Sequence, residues 1–151
     1  LSQRNAAMTM AGKPTVFVLD DDAAIQEALS ILLQMMNLPA EFFSTVSEFR
    51  EVYDPSRPGC LLLDLRLPGD GFSLLKELSD RNSQLPVIVI TGHGDTETED
   101  EVMKLGAIAF LEKPFDTRQL CGSIRQVMDR QRQPDLDGVA RIDRREPPDG
   151  G

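Results

Sequence analysis

The sequence predicts an α/β fold: a doubly wound (βα)5 sandwich around a parallel five-stranded sheet in strand order 2-1-3-4-5. Short, continuous apolar segments recur along the chain, and they are typical of strands buried on both faces of a parallel sheet. Between them lie segments with apolar residues at three- to four-residue spacing, which indicate amphipathic helices. This alternation requires crossover connections, and right-handed crossovers give that strand order in its simplest form.

Four segments carry the strand pattern clearly, and one carries it weakly. The four clear segments are apolar and rich in β-forming residues, and they lie at 15–19, 60–63, 86–90 and 107–111. The weaker segment, 40–43, contains Glu41. A charged residue is common in edge strands, so this segment is expected at an edge of the sheet.

Five helices are predicted after the five strands, and three of them have clear boundary signals. Asn37 can end the first helix in a left-handed conformation. Thr45 and Glu48 form the capping-box pattern at the start of the second. Asp116 can cap the fifth. The third and fourth are indicated by apolar residues at helical spacing: Phe72, Leu75 and Leu78, then Val102, Met103 and Leu105.

The fourth helix is expected to begin late, because acidic residues crowd its first turns. Glu97 and Glu101 repel each other as an i,i+4 pair. We therefore expect residues 95–101 to be mobile or irregular. Regular helix should begin near Thr98, with Glu101 as its capping-box partner.

Charge and length limit the function. The chain has 151 residues, with 16 Lys and Arg against 25 Asp and Glu, so its net charge is −9. Such a chain is poorly suited to binding nucleic-acid phosphates or an anionic membrane by itself. No apolar segment approaches the roughly 20 residues of a membrane span. A single histidine excludes a His/Cys zinc cluster.

The chain is expected to hold one folded domain at 14–132, between a disordered N-terminal segment at 1–13 and a linker or disordered tail at 133–151. The terminal segments are rich in small, polar, Pro and Gly residues. Cys60 and Cys121 lie in apolar contexts far apart in the sequence. They are predicted to be reduced thiols of a cytoplasmic protein.

Polar residues gather where the predicted strands end. Asp20, Asp21 and Asp22 follow the first strand, Asp64 the third, Thr91 the fourth and Lys113 the fifth. The carboxyl ends of parallel strands meet at one edge of the sheet. Two carboxylates about 4–5 Å apart repel by roughly 3–4 kcal/mol at an effective dielectric of about 20. A Mg²⁺ ion would offset this repulsion, and with an ammonium and a hydroxyl such a site can accept a phosphoryl group.

Four motifs at these strand ends resemble the receiver domain of two-component response regulators, most closely receivers of the FixJ/NarL type. The motifs are LDDD at 19–22, DLRLPG at 64–69, VITGHGD at 89–95 and FLEKPF at 110–115. The resemblance spans 14–132 and implies a flavodoxin-like fold. It also implies a phospho-accepting switch.

The resemblance also implies roles for individual residues. Asp64 would be the phospho-acceptor, and Thr91 and Lys113 would contact the phosphoryl group. The implied Mg²⁺ ligands are Asp20, Asp21, Asp64 and the main-chain carbonyl of Arg66. Thr91 and Phe110 would form the switch pair. The Lys113–Pro114 peptide bond is expected to be cis.

The sequence departs from this family at three places. The loop over 68–71 is one residue shorter than in most relatives. The start of the fourth helix is acidic where relatives are apolar, and Ala109 replaces an Asp that is common in relatives. We therefore expect an altered output surface and a monomer or weak dimer.

The implied function is a switch that takes a phosphoryl group from a sensor histidine kinase onto Asp64 and changes the surface formed by helix 4, strand 5 and helix 5. It would catalyse only its own phosphorylation and dephosphorylation. Its effector would be a C-terminal or separate domain, with neither nucleic acid nor membrane bound by this chain. One alternative is a phosphatase of the haloacid-dehalogenase type with Asp20 as nucleophile, although Ala24 departs from that motif. Another is a degenerate receiver that only binds protein.

Overall fold

The computed structural model describes residues 14–67, 71–92 and 96–132 of the chain. The strands are β1 (Thr15–Leu19), β2 (Ala40–Phe43), β3 (Gly59–Asp64), β4 (Val87–Thr91) and β5 (Ala109–Glu112). The helices are α1 (Ala23–Met35), α2 (Val46–Val52), α3 (Gly71–Asp80), α4 (Thr96–Lys104) and α5 (Thr117–Arg132). The predicted segments 1–13 and 133–151, residues 68–70 of the loop predicted to be short, and residue 95 of the segment predicted to be irregular lie outside the described residues.

The sheet confirms the predicted topology. All four strand pairs are parallel, and the strand order is β2-β1-β3-β4-β5. The weakly patterned segment with Glu41 is β2, which lies at an edge as expected. β3 is the central strand, so its carboxyl end is flanked by the ends of β1 and β4.

Two hydrophobic clusters cover the two faces of the sheet. Alternate residues of each strand point to opposite faces, so that Phe17 and Leu61 enter one cluster while Val16 and Leu62 enter the other. Side chains of α2, α3 and α4 complete the first cluster, and those of α1 and α5 complete the second. Burial on both faces explains why the strands are continuous apolar segments rather than alternating ones.

The predicted helix caps form in the structure. Asn37 has a φ of 59°, the left-handed conformation expected after α1. The hydroxyl of Thr45 accepts a hydrogen bond from the Glu48 N–H at 3.1 Å. The Glu48 carboxylate accepts from the Ser44 N–H at 2.7 Å, one residue earlier than in a standard capping box. Asp116 accepts from two N–H groups in the first turn of α5.

The late start predicted for α4 is wrong, because regular helix begins at Thr96. The i,i+4 repulsion between Glu97 and Glu101 costs only about 0.2–0.5 kcal/mol. An acidic residue in the first turn gains about 0.3–1 kcal/mol from the helix dipole, and Glu97 and Glu99 both lie there. Val102 is fully buried and anchors the helix to the core.

β5 also begins later than its apolar pattern suggests. The Ala107 N–H donates to the Val102 carbonyl at 3.0 Å and so closes the end of α4. Gly106 has a φ of 101°, which allows that reversal. Ala107 therefore belongs to the connection, and Ile108 makes the first hydrogen bond to β4, from its N–H to the Val87 carbonyl at 2.9 Å.

Both cysteines are free thiols, as predicted, with Cys60 buried and Cys121 half-buried. Burial raises the pKa of the Cys60 thiol to about 12. None of the helices within the described ranges has the length and apolar character that crossing a membrane requires.

Candidate functional site

The polar residues predicted from the strand ends lie together at the carboxyl edge of the sheet. Asp20 directly follows β1, Asp64 and Thr91 are the last residues of β3 and β4, and Lys113 directly follows β5. Asp20, Asp64 and Thr91 have exposed fractions of only 3%, 6% and 2%. The parallel sheet therefore brings side chains from four separate motifs to one buried rim.

Lys113 joins the two buried carboxylates. Its Nζ lies 2.8 Å from Asp20 Oδ2 and 3.2 Å from Asp64 Oδ2. Its main-chain N–H donates to the Thr91 carbonyl at 2.8 Å, which ties the residue to the end of β4. The Lys113–Pro114 peptide bond is cis, as the family resemblance implied. The ammonium therefore neutralises one negative charge of the pair and leaves a net charge of about −1.

The second oxygen of each buried carboxylate is held by a main-chain N–H. Asp20 Oδ1 accepts from Asp22 at 2.9 Å, and Asp64 Oδ1 accepts from Arg66 at 3.0 Å. Burial raises the pKa of Asp20, although the hydrogen bonds from Lys113 and Asp22 act in the opposite direction. Burial alone would lower the pKa of Lys113, but its bonds to the two carboxylates outweigh that effect and raise it.

A third carboxylate completes an acidic cluster. One side-chain oxygen each of Asp20, Asp21 and Asp64 lies within 4.8 Å of the others. Asp21 is exposed, so the cluster opens to solvent on one side. Three carboxylate oxygens with one open side are the donor set that a hard cation such as Mg²⁺ prefers, because it binds oxygen and keeps several waters. The residues present therefore fit the metal that the resemblance implies.

Asp22 has a different role from its two neighbours. Its carboxylate accepts from the main-chain N–H groups of Ala24 and Ile25, at 2.9 and 3.3 Å. It thereby caps the N-terminus of α1. Of the three consecutive aspartates, only the first two belong to the acidic cluster.

Phe110 and Thr91 lie on the same side of the sheet. Phe110 pairs in register with Val89. Since Val89 and Thr91 are two residues apart on one strand, all three side chains point to one face. Phe110 is half-buried and packs against the cluster on that face. The two predicted switch residues therefore lie on neighbouring strands of one face.

Two residues that the sequence analysis did not single out also shape the site. Gly71 starts α3 so close to β3 that a Cβ atom would lie 2.6 Å from the Asp64 carbonyl oxygen. Gln26 on α1 donates a side-chain hydrogen bond to the Asp20 carbonyl at 2.6 Å. A glycine after a loop and a glutamine in a helix are too common to be recognised from sequence.

Comparison with known proteins connects this geometry to a family. The family model for the response regulator receiver domain matches residues 16–125. The transcriptional regulatory protein FixJ of Azorhizobium caulinodans is 42% identical over 116 residues, which cover 76% of this chain and 55% of that protein. The response regulator protein TodT of Pseudomonas putida is 40% identical over 114 residues, which cover 75% of this chain and 50% of that protein. This chain thus spans about half the length of these relatives.

Solved structures agree with the sequence relatives. The response regulator StyR superposes with a TM-score of 0.74 at 37% identity, covering 87% of this chain and 67% of that one. Full-length FixJ from B. japonicum superposes with a TM-score of 0.72 at 33% identity, covering 87% of this chain and 65% of that one.

Proposed function

This chain belongs to the response regulator receiver domain family, and from that premise we propose that it accepts a phosphoryl group on the side chain of Asp64. A receiver domain is a signalling domain of a two-component system rather than a metabolic enzyme. The assignment of individual roles rests on the arrangement of side chains around Asp64.

The position of Asp64 in the sheet is the observation that carries this assignment. Adjacent strands lie about 5 Å apart. Asp64 ends the central strand, so it lies between Asp20, which directly follows one neighbouring strand, and Thr91, which ends the other. A phosphoryl group on Asp64 is therefore within reach of the acidic cluster, of Thr91 and of Lys113. From Asp20, Thr91 is two strands away.

The proposed reaction uses the bonds that Lys113 and Arg66 already make. One carboxylate oxygen of Asp64 forms a bond to phosphorus as the bond between phosphorus and a histidine nitrogen of the kinase breaks. The Lys113 ammonium, which bridges two carboxylates, then pairs with a phosphoryl oxygen. The Thr91 hydroxyl donates to another phosphoryl oxygen, and the Arg66 N–H holds the remaining Asp64 oxygen.

Mg²⁺ is the proposed cofactor, with Asp20, Asp21, Asp64 and the Arg66 carbonyl as ligands. When bound, it would offset the negative charge of the carboxylates and the incoming phosphoryl group. The donor set supports this proposal, because the described residues of the cluster supply three carboxylates, of which two are paired with the Lys113 ammonium.

The proposed output is a movement of the Thr91–Phe110 pair that alters the surface of α4, β5 and α5. Thr91 would move toward the phosphoryl group and Phe110 would follow it inward. The chain is proposed to act in the cytoplasm. The proposed partners are a sensor histidine kinase and an effector domain, either C-terminal or separate. Ala109 on β5 and the acidic start of α4 give this surface a composition of its own.

The phosphatase alternative is disfavoured by Asp22. That hypothesis requires Asp20 as nucleophile and Asp22 as a second catalytic carboxylate. The Asp22 side chain instead caps α1 and is exposed. A degenerate receiver is disfavoured as well, because the acidic cluster, the hydroxyl and the ammonium are all present at the rim.

Intact-mass measurement tests the proposal directly. The chain is incubated with acetyl phosphate in the presence or absence of Mg²⁺. We expect one added phosphoryl group with Mg²⁺, none without it, and none in Asp64→Asn. Asp22→Asn is the matched control, because it removes an aspartate that belongs to the helix cap, and it should retain the adduct. An adduct in Asp64→Asn equal to that of the unchanged protein would refute the assignment.

A further inference from the structure

Gln26 connects three parts of the rim through one side chain. It is half-buried in the first turns of α1, where β1 and β2 end. Its Nε2 lies 2.6 Å from the Asp20 carbonyl oxygen, 3.3 Å from the Ser44 hydroxyl and 3.5 Å from the Phe43 carbonyl oxygen. Carbonyl oxygens only accept hydrogen bonds, so the amide nitrogen must be the group that faces them.

The bond from Gln26 fixes the orientation of a peptide group. The carbonyl of Asp20 and the N–H of Asp21 belong to one planar unit. The Asp20 N–H is itself held, because it donates to the Phe43 carbonyl at 3.1 Å. A short bond to the Asp20 oxygen therefore determines the direction in which the chain continues into Asp21.

Asp21 depends on this backbone more than its neighbours do. Its carboxylate is exposed, and among the described residues no hydrogen bond or ion pair holds it. An oxygen of Asp21 nevertheless lies within 4.8 Å of Asp20 and Asp64 oxygens. By contrast, the carboxylates of Asp20 and Asp64 are each held by Lys113 and by a main-chain N–H.

We propose that Gln26 is a positioning residue for the metal site: by holding the Asp20 carbonyl, it places the Asp21 carboxylate where it can join Asp20 and Asp64 around a divalent cation. This inference rests on the proposed Mg²⁺-dependent function. It adds a residue on α1 that never contacts the metal and acts through the main chain.

Charge substitutions separate positioning from simple electrostatics. Gln26→Glu removes both donors and sets a negative charge against the Asp20 carbonyl, whereas Gln26→Lys retains a donor. Charge alone predicts that the Glu variant binds Mg²⁺ more tightly than the unchanged protein and that the Lys variant binds it more weakly. Positioning predicts that the Glu variant is the weakest binder, with a Kd for Mg²⁺ raised about 10-fold, as for other outer-shell partners of a metal site.

Isothermal titration of Mg²⁺ into the full chain measures these affinities without any phosphorylation. Gln34→Glu and Gln34→Lys are the controls, since Gln34 is an exposed glutamine farther along α1. They should change the Kd less than about 2-fold. If Gln26→Glu does not fold, Gln26→Met removes the donors without adding charge and should also raise the Kd.

Repeating the Mg²⁺ titrations in the Asp21→Asn variant shows whether Gln26 acts on the Kd through Asp21. In Asp21→Asn, the carboxylate to be positioned is already gone, so Gln26→Glu should change the Kd less than about 2-fold. Equal losses in both backgrounds would mean a general structural effect and would overturn the inference, as would unchanged or tighter binding by Gln26→Glu. An unchanged protein that neither binds Mg²⁺ nor accepts phosphate would instead refute the proposed function, and this inference with it.

Discussion

The two ends of the parallel strands differ in the side chains they carry: charged groups gather at one end and aromatic rings toward the other. At the carboxyl edge, the buried carboxylates of Asp20 and Asp64 are bridged by the half-buried ammonium of Lys113. Toward the amino ends of the strands, aromatic rings pack together. Phe49 stacks on Tyr53 with ring centres 4.9 Å apart, and each of these rings packs against Phe17 in a T-shaped arrangement.

The charges toward the amino ends are arranged differently as well. The Arg57 guanidinium lies over the Phe17 ring at 4.9 Å and forms an ion pair with Glu41. These two charges balance each other. At the carboxyl edge, the two buried carboxylates share the Lys113 ammonium and the exposed Asp21 carboxylate lies close to both, so the described residues of this cluster carry an excess of negative charge.

This contrast separates the part of the molecule that stabilises the fold from the part that is prepared for chemistry. Apolar burial stabilises the fold by about 25 cal/mol for each Å². Crowded like charges oppose folding, and they persist at a site because its function requires them. Substitutions toward the amino ends should therefore reduce stability and leave phosphorylation intact, and substitutions at the rim should do the reverse.

The largest expected effect comes from Phe49→Ala. Phe49 is only 1% exposed and contacts the rings of Phe17, Phe43 and Tyr53. Removing the ring leaves a cavity and should lower the free energy of unfolding by about 3–5 kcal/mol. Urea denaturation measures this loss. The protein that remains folded should still accept phosphate from acetyl phosphate, and loss of that reaction would break the proposed separation of the two ends.

Mg²⁺ should stabilise the fold through the rim alone. At a concentration about 100-fold above the Kd, linkage predicts a gain of about 2.7 kcal/mol in the free energy of unfolding. Without metal, Asp64→Asn should melt at a higher temperature than the unchanged protein, because one of three crowded carboxylates is removed. Thermal melts with EDTA and with Mg²⁺ test both statements, and an earlier melt of Asp64→Asn in EDTA would contradict the second.

Cys60 provides a pH test at the amino end of β3, the strand that ends in Asp64. Burial raises the pKa of its thiol from 9.0 to about 12. Above pH 9 the unfolded chain loses this proton while the folded chain keeps it, so the thiol favours unfolding increasingly between pH 9 and 12. At pH 10 the loss should be about 1.4 kcal/mol.

Urea denaturation of the unchanged protein and of Cys60→Ala at pH 8 and pH 10 isolates this contribution. At pH 8, the difference in the free energy of unfolding between the two proteins should reflect only the change in packing at residue 60. The additional decrease between pH 8 and pH 10 should be smaller in the variant. Equal decreases in the free energy of unfolding of the two proteins would show that the thiol ionises as readily in the folded state as in the unfolded state.

The smallest expected effect distinguishes two residues of α4, which begins beside the rim. Glu97 lies in the first turn and gains from the helix dipole, whereas Glu101 lies beyond it. Either substitution by Gln removes their mutual repulsion, which is about 0.2–0.5 kcal/mol. Glu101→Gln should therefore stabilise slightly, while Glu97→Gln should be neutral or destabilising by up to about 0.8 kcal/mol. Urea denaturation measures both changes in the free energy of unfolding. Significant changes of the same sign for both variants would refute the opposing contributions of repulsion and helix dipole.

The fold and the location of the site follow from the order of residues along the chain. Strands buried on both faces appear as continuous apolar segments, and the parallel order places the residues after them at one rim. Asp20, Asp64, Thr91 and Lys113 can therefore be grouped from their positions after these segments. Local hydrogen-bonding patterns likewise predict the caps at Asn37, Thr45 and Asp116.

Features that depend on contacts between distant segments were set by tertiary packing instead. α4 begins at Thr96 because burial of Val102 and the helix dipole outweigh a weak repulsion, and burial is set by the whole core. The bridge from Lys113 to two carboxylates and the bond from Gln26 to the Asp20 carbonyl join residues of different elements. Such contacts have no periodicity along the chain, because they depend on distances that exist only after the sheet and helices have packed.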